Sequence, residues 1–263
     1  MALASEAGAR LQRRGLKLRH AIWNGSRYIL QAVDGFPIVS NKGERGHMSV
    51  IATTKTSKWW DKTAERYAKR PIADEESYQK KLQITRRYFS PEMKVLEFGC
   101  GTGSTAILHS PYVKHIHAID ISPNMIAIAN EKAKAKEINN LTFEVSTIEA
   151  FESEKASYDM ILGLNILHLL ENEDQVVAKV YELLKPGGCF VTSTPCIADS
   201  MKFFKFIAPI GEFFGFIPFV KVFSKKHLMK VLFDAGFTTD HEWQPGTSRE
   251  AFLVLKKSDS KSV

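Results

Sequence analysis

Val95-Leu96-Glu97-Phe98-Gly99-Cys100-Gly101-Thr102-Gly103 decides the fold. A short apolar run of strand length carries one acid and then enters glycines at every second position. Glycine is the residue that reaches backbone angles closed to side chains, and it lets a ligand lie directly on the main chain. A helix predicted to start at Ser104-Thr105 would turn its free N–H groups toward the same ligand. Strand, glycine loop and helix form the first unit of a doubly wound α/β sheet, and two ligand classes fit such a loop. Gly101-Thr102-Gly103-Ser104-Thr105-Ala106 also satisfies a relaxed dinucleotide fingerprint, G-x-G-x-x-A.

Moving outward, Ile116-His117-Ala118-Ile119-Asp120 is a second apolar strand that ends in a carboxylate 21 positions after Gly99. An acid at that tip can accept hydrogen bonds from both ribose hydroxyls of a nucleoside. Ser122 and Pro123 then read as N-cap and first residue of the next helix. Thr142-Phe143-Glu144-Val145 reads as a third strand and Tyr158 to Leu164 as a fourth. Leu183-Leu184-Lys185-Pro186-Gly187-Gly188 stops a helix and opens a fifth.

Acid before Gly-x-Gly-x-Gly, the Asp120 tip with Ile121-Ser122-Pro123-Asn124-Met125, and the Lys-Pro-Gly-Gly turn together resemble class I S-adenosylmethionine (SAM) dependent methyltransferases. Within that class the chain is most similar to the small-molecule enzymes of ubiquinone and menaquinone biosynthesis. The resemblance implies a seven-stranded, mostly parallel Rossmann-like sheet with SAM as cofactor. It places Glu97, Gly99, Gly101, Thr102, Gly103 and Asp120 at the cofactor, with Ile121 and Met125 as an apolar wall for adenine. Thr147 and Ile148 stand where relatives place an acid or amide on the adenine amino group, and Thr147 departs from that pattern. Leu164 falls beneath the sulfonium. Ser57 to Tyr67 resembles the short helix preceding many such domains, whose tyrosine, here Tyr67, lies over the methionine moiety.

The sulfonium already makes the methyl carbon electrophilic, so the protein has chiefly to align an acceptor and exclude water. His168, just past the fourth strand, is the candidate base if one is used. His115, His117 and His241 show no partner pattern and read as structural. Cys100, Cys189 and Cys196 form neither a paired framework nor a metal spacing, so no metal site and a reducing, cytoplasmic setting are expected.

The net charge of +7 is unevenly spread, because residues 1–47 hold eight Lys and Arg against three acids. The rest of the chain is nearly neutral and offers no basic groove, so no nucleic-acid partner is expected. Residues 1–47 read as a disordered or non-native leader ending at Gly46-His47-Met48, residues 48–257 as one methyltransferase domain, and residues 258–263 as a tail. Eight phenylalanines crowd positions 203–223, interrupted by Lys205, Glu212 and Lys221 and broken by Pro209 and Pro218. That is no transmembrane span. It reads as a substrate lid inserted after the fifth strand, about 197–223, for an apolar small-molecule acceptor or contact with a membrane surface. The alternatives are a nucleic-acid or protein methyltransferase and a non-catalytic SAM-binding protein.

Overall fold

The computed structural model describes residues 18–23, 28–32, 37–42, 48–52, 55–199, 218–244 and 250–258. Strands β1 (Leu18–Trp23), β2 (Tyr28–Ala32), β3 (Pro37–Lys42) and β4 (Met48–Ala52) form an antiparallel meander in the order β1-β2-β3-β4. The expectation for residues 1–47 is a disordered or non-native leader, and β1 to β3 fall within that range. In the sequence, Asn24-Gly25 and Asp34-Gly35 are hairpin signals between the short apolar runs that form these strands. The boundary expected at residue 47 falls between β3 and β4, whose register pairs Lys42 with Met48.

Two helices lead into the second sheet, α1 (Lys55–Ala68) and α2 (Glu75–Arg86). Asp74 caps α2 by accepting the Ser77 amide at 3.0 Å, and Glu75 and Glu76 complement its positive end. Strands and helices then alternate: β5 (Lys94–Phe98), α3 (Ser104–His109), β6 (His115–Asp120), α4 (Pro123–Ala135), β7 (Leu141–Val145), β8 (Tyr158–Leu164), α5 (Glu173–Leu183) and β9 (Leu184–Pro195). Helix α6 (Lys225–Asp234), capped by Ser224, precedes β10 (Phe237–Trp243) and β11 (Glu250–Lys257). The expected lid lies outside the described residues at 200–217, as do residues 259–263 of the tail.

The seven strands run in the order β10-β11-β9-β8-β5-β6-β7. Pairing is parallel from β9 to β7, while β11 enters antiparallel between β9 and β10. Strands β5, β6, β8 and β9 are buried along most of their length because helices cover both of their faces. Alternate residues feed two cores. Leu96, Phe98, Ile161 and Phe190 join α5 and α6, whereas Val95, Ile116, Met160 and Val191 face α2, α3 and α4. Edge strand β10 carries exposed Thr238, Thr239 and Asp240, and a charged edge blunts pairing with other chains. The Lys185-Pro186-Gly187-Gly188 turn is looped out inside β9, whose paired residues jump from Leu184 to Cys189 while their β8 partners advance only from Tyr158 to Met160.

The chain winds from β5 outward to β7 and returns on the other side at β8. A crevice therefore opens at the carboxyl ends of β5 and β8, the position where open α/β sheets bind ligands.

One buried group makes a large contribution to the acid sensitivity of this frame. His109 is fully buried, both ring nitrogens lack a hydrogen-bond partner, and burial lowers the imidazole to about 3. Its folded value lies below the unfolded one, so the unfolded chain binds the extra proton and stability falls as pH drops below about 6.5. The slope from this group reaches about 1.4 kcal/mol per pH unit. His109→Leu should therefore flatten the acid side of a melting-temperature profile between pH 6.5 and 4.5, measured against the parent chain.

Candidate cofactor site

Every site residue expected beyond α1 lies at the carboxyl end of a strand or in the loop or helix just after it. Gly99, Gly101 and Gly103 have φ of 66°, 54° and 72°, so all three occupy the left-handed region. They differ in surroundings. A Cβ on Gly99 would meet the Ile166 side chain at 2.7 Å, and one on Gly103 would meet Phe143 and Ala129 at 2.7 and 2.8 Å. On Gly101 the same atom would touch only the Tyr67 ring at 3.8 Å. The outer two glycines thus let the loop pack, whereas the middle one keeps a face of backbone open.

That open backbone is held by Asp120. The Gly101 amide donates to Asp120 Oδ2 at 2.8 Å, and the Ser122 amide donates to Oδ1 at 2.9 Å. Two amides on two oxygens leave further lone pairs for ligand hydroxyls. Burial raises the Asp120 carboxyl above its usual range, while the two amides pull it back. Glu97 is harder to satisfy. It is 3% exposed, its Oε2 has no hydrogen-bond partner, and burial with the Asp120 charge pushes it up to about 8. A buried acid left unpaired in the ligand-free chain suits a cationic ligand group.

The remaining expected residues divide by exposure. Ile121, Thr147 and Leu164 are partly exposed at strand ends, and Tyr67 is 49% exposed above the glycine loop. Thr147 Oγ1 accepts the Ala150 amide at 3.1 Å, leaving its proton to donate. Met125 and Ile148 are 2% and 3% exposed. Thr102 is 5% exposed, and its hydroxyl accepts Lys132 Nζ at 2.8 Å. His168 lies on a single 3-10 turn (Leu167–Leu169), with Nδ1 buried and unpartnered, and burial lowers it to about 4 against the pull of Glu250. It is therefore neutral near pH 7. His115 and His117 do have partners, Thr142 at 3.0 Å and Glu144 at 2.9 Å across the β6–β7 ladder.

Sequence reasoning missed Asp61, Ser57 and the cluster at the ends of β9 and β11. Asp61 Oδ1 accepts Ser122 Oγ at 2.6 Å and the Asn124 amide at 3.1 Å, and Ser57 Oγ donates to the Ile121 carbonyl at 3.3 Å. Glu250 accepts Lys81 Nζ at 2.5 Å and the Ser193 hydroxyl. These contacts join residues up to 169 positions apart, and no local pattern marks them. Among the described residues no His, Cys, Asp and Glu group could hold a metal ion.

Sheet order, glycine loop and ribose-type acid define the class: a Rossmann-like fold of class I methyltransferase type. Residues 89–236 match the family model described as a methyltransferase domain, and the chain belongs to this family of SAM-dependent methyltransferases. A malonyl-[acyl-carrier protein] O-methyltransferase from Paenibacillus sp. (strain JDR-2) is 30% identical over 169 residues, covering 61% of this chain and 60% of the relative. Phosphoethanolamine N-methyltransferase 2 from Caenorhabditis elegans is 27% identical over 114 residues, 42% of this chain and 26% of the relative. The chain thus spans less than two thirds of these relatives. The crystal structure of geranyl diphosphate C-methyltransferase from Streptomyces coelicolor A3(2) shares the fold with a TM-score of 0.61 at 11% identity, covering 77% of this chain and 96% of that one.

The loop geometry separates two kinds of glycine. Gly99→Ala should lower the melting temperature sharply, because its Cβ collides with Ile166. Gly101→Ala carries only the left-handed backbone cost of about 1–2 kcal/mol and should stay folded, yet lose S-adenosylhomocysteine binding measured by calorimetry. Equal damage to fold and binding in both variants would contradict this division.

Proposed function

We propose that this chain transfers a methyl group from SAM to a small, apolar acceptor. The observation that carries the reading is the open backbone at Gly101 flanked by Asp120 and the unpaired Glu97. Asp120 offers acceptors to ribose hydroxyls, and Glu97, which keeps its proton to about pH 8, would give it up to face a cationic methionine moiety. SAM supplies an activated methyl carbon on a sulfonium. The chain's own residues bind and orient: Tyr67 covers the glycine loop, while the partly exposed Ile121 offers an apolar surface for the base.

Support for an apolar acceptor comes from the phenylalanine-rich segment at 203–223, which the family match covers without assigning. Named acceptors among the relatives range from phosphoethanolamine to malonyl-[acyl-carrier protein], and one fold neighbour is named for geranyl diphosphate, which carries an apolar chain. No described helix is long and apolar enough to cross a membrane. Any membrane contact is therefore peripheral in this reading. His168 is neutral near pH 7 and can take a proton from an acceptor that must lose one early.

Incubating the chain with SAM and candidate acceptors, and measuring S-adenosylhomocysteine release, tests the reading directly. Asp120→Ala should weaken SAM binding by roughly 1–3 kcal/mol through lost charge-assisted hydrogen bonds. Unchanged affinity would retire the cofactor assignment.

Acceptor chemistry needs a separate measurement. His168→Ala should lower kcat while SAM affinity holds, and Phe213→Ser with Phe214→Ser should raise the acceptor KM. Each lost aromatic contact removes on the order of 1.5–3 kcal/mol of burial, so a partial contribution already shows in kcat/KM. Loss of melting temperature and SAM affinity together, without a selective effect on the acceptor, would make 203–223 a covering segment instead of a lid.

A further inference from the structure

We propose that Asp61 is a positioning residue for the cofactor: it fastens helix α1, and with it Tyr67, over the glycine loop through the same serine that steadies Asp120. The inference rests on the proposed methyltransferase function. Asp61 sits at the middle of α1, and its carboxylate accepts both the Ser122 hydroxyl at 2.6 Å and the Asn124 amide at 3.1 Å. Asn124 Nδ2 returns a bond to the Asp61 carbonyl at 3.3 Å, and Ser57 holds the Ile121 carbonyl. Helix α1 thereby grips three of the four residues just after Asp120.

Ser122 is the junction. Its hydroxyl donates to Asp61 while accepting the Met125 amide at 3.1 Å as the cap of α4. Its own amide donates to Asp120 Oδ1, and the other Asp120 oxygen takes the Gly101 amide. An unbroken series of hydrogen bonds runs from Asp61 through Ser122 and Asp120 to the glycine loop. Six residues beyond Asp61, Tyr67 meets that loop again from outside, with its ring near the open side of Gly101.

No large apolar side chain of α1 is fully buried, although Trp59 and Trp60 are partly so. The helix packs chiefly on α4, its buried residues are the small Ser57, Thr63 and Ala64, and Tyr67 stays half exposed. A cleft of about 1270 Å³, lined among others by Trp60, Arg66, Tyr67, Asn124 and Ile128, opens between the two helices. Beside the Trp60 ring, which meets Tyr67 edge-on at 6.2 Å, the hydrogen bonds of one carboxylate hold the helix where Tyr67 can stand over the loop. Asp61 does not itself touch the cofactor. It acts through Tyr67 and Ser122.

S-adenosylhomocysteine binding to the full chain, read by calorimetry, tests this without turnover. Asp61→Ala should weaken binding about tenfold, the size of one hydrogen bond to a charged group. Asp61→Asn keeps an oxygen that accepts from Ser122 and Asn124, and should restore affinity to within about threefold. Because Asp61 works through Tyr67, Asp61→Ala placed in a Tyr67→Ala background should cost less than about twofold, the non-additivity expected of coupled residues. The ligand should also protect the parent chain, and not Asp61→Ala, from tryptic cleavage at Lys62 and Arg66. Should Asp61→Ala fail to fold, Ser122→Ala removes the same bond from its donor side and must reproduce the loss.

Parent-like binding by Asp61→Ala, an Asn variant as weak as Ala, or full additivity with Tyr67→Ala would each overturn the proposal. A parent chain that binds no S-adenosylhomocysteine at all would instead overturn the functional reading on which it rests.

Discussion

Asp120 holds two strand ends together with one side chain. Its carboxylate lies between the Gly101 and Ser122 amides, 2.8 and 2.9 Å away, so the loop after β5 and the loop after β6 share one anchor. Both loops leave adjacent parallel strands at the same edge, and each would otherwise bury amides without a partner, which costs free energy comparable to a lost hydrogen bond. The glycine loop takes its left-handed turns because this anchor lies beneath it. The direction of α4 is set as well, since its cap, Ser122, is the residue that completes the anchor.

The same arrangement sets stability against ligand readiness. Glu97 lies on the α2 and α3 side of the sheet with one oxygen unbonded and its proton retained to about pH 8. Retaining a proton lets the ligand-free chain tolerate the acid, yet leaves a buried polar atom that nothing in the protein satisfies. His109, on the same side, is buried neutral for a different reason. It packs edge-on against Phe89 at 4.9 Å beside the Arg86 guanidinium and has no ligand to meet. One unsatisfied group stands beside the glycine loop, the other is enclosed by packing.

Much of this was legible in the sequence because the governing signals are local. Gly99, Gly101 and Gly103 announce a backbone that needs positive φ. Asp120 at the end of an apolar run announces a strand tip, and Ser122-Pro123 announces a helix start. What the sequence hid is whatever depends on distant partners. Asp61 looks like any acid on an exposed helix until α1 meets α4, and Glu250 looks like the first residue of a strand until Lys81 and Ser193 approach it. His115 and His117 acquired partners only when β7 paired beside β6. The meander at 18–52 is the opposite case. Its Asn-Gly and Asp-Gly signals are local and readable, but the basic charge of the segment masks them.

Strand order has a consequence for how the molecule is made. Strand β11 is the last of the sheet to leave the ribosome, yet it lies inside the sheet, hydrogen-bonded on both sides, with Phe252, Leu253, Val254 and Leu255 fully buried and feeding both cores. Until those residues emerge, β9 is an open edge and both cores lack a wall, the kind of exposed surface that chaperones recognise. The nascent chain can form β5 to β9 early, since β5 and β6, β6 and β7, and β8 and β9 are each joined through one helix. Closure of the sheet waits for the final hairpin, so a transcript cut short ahead of β11 would yield a product with its centre exposed instead of one merely missing a tail.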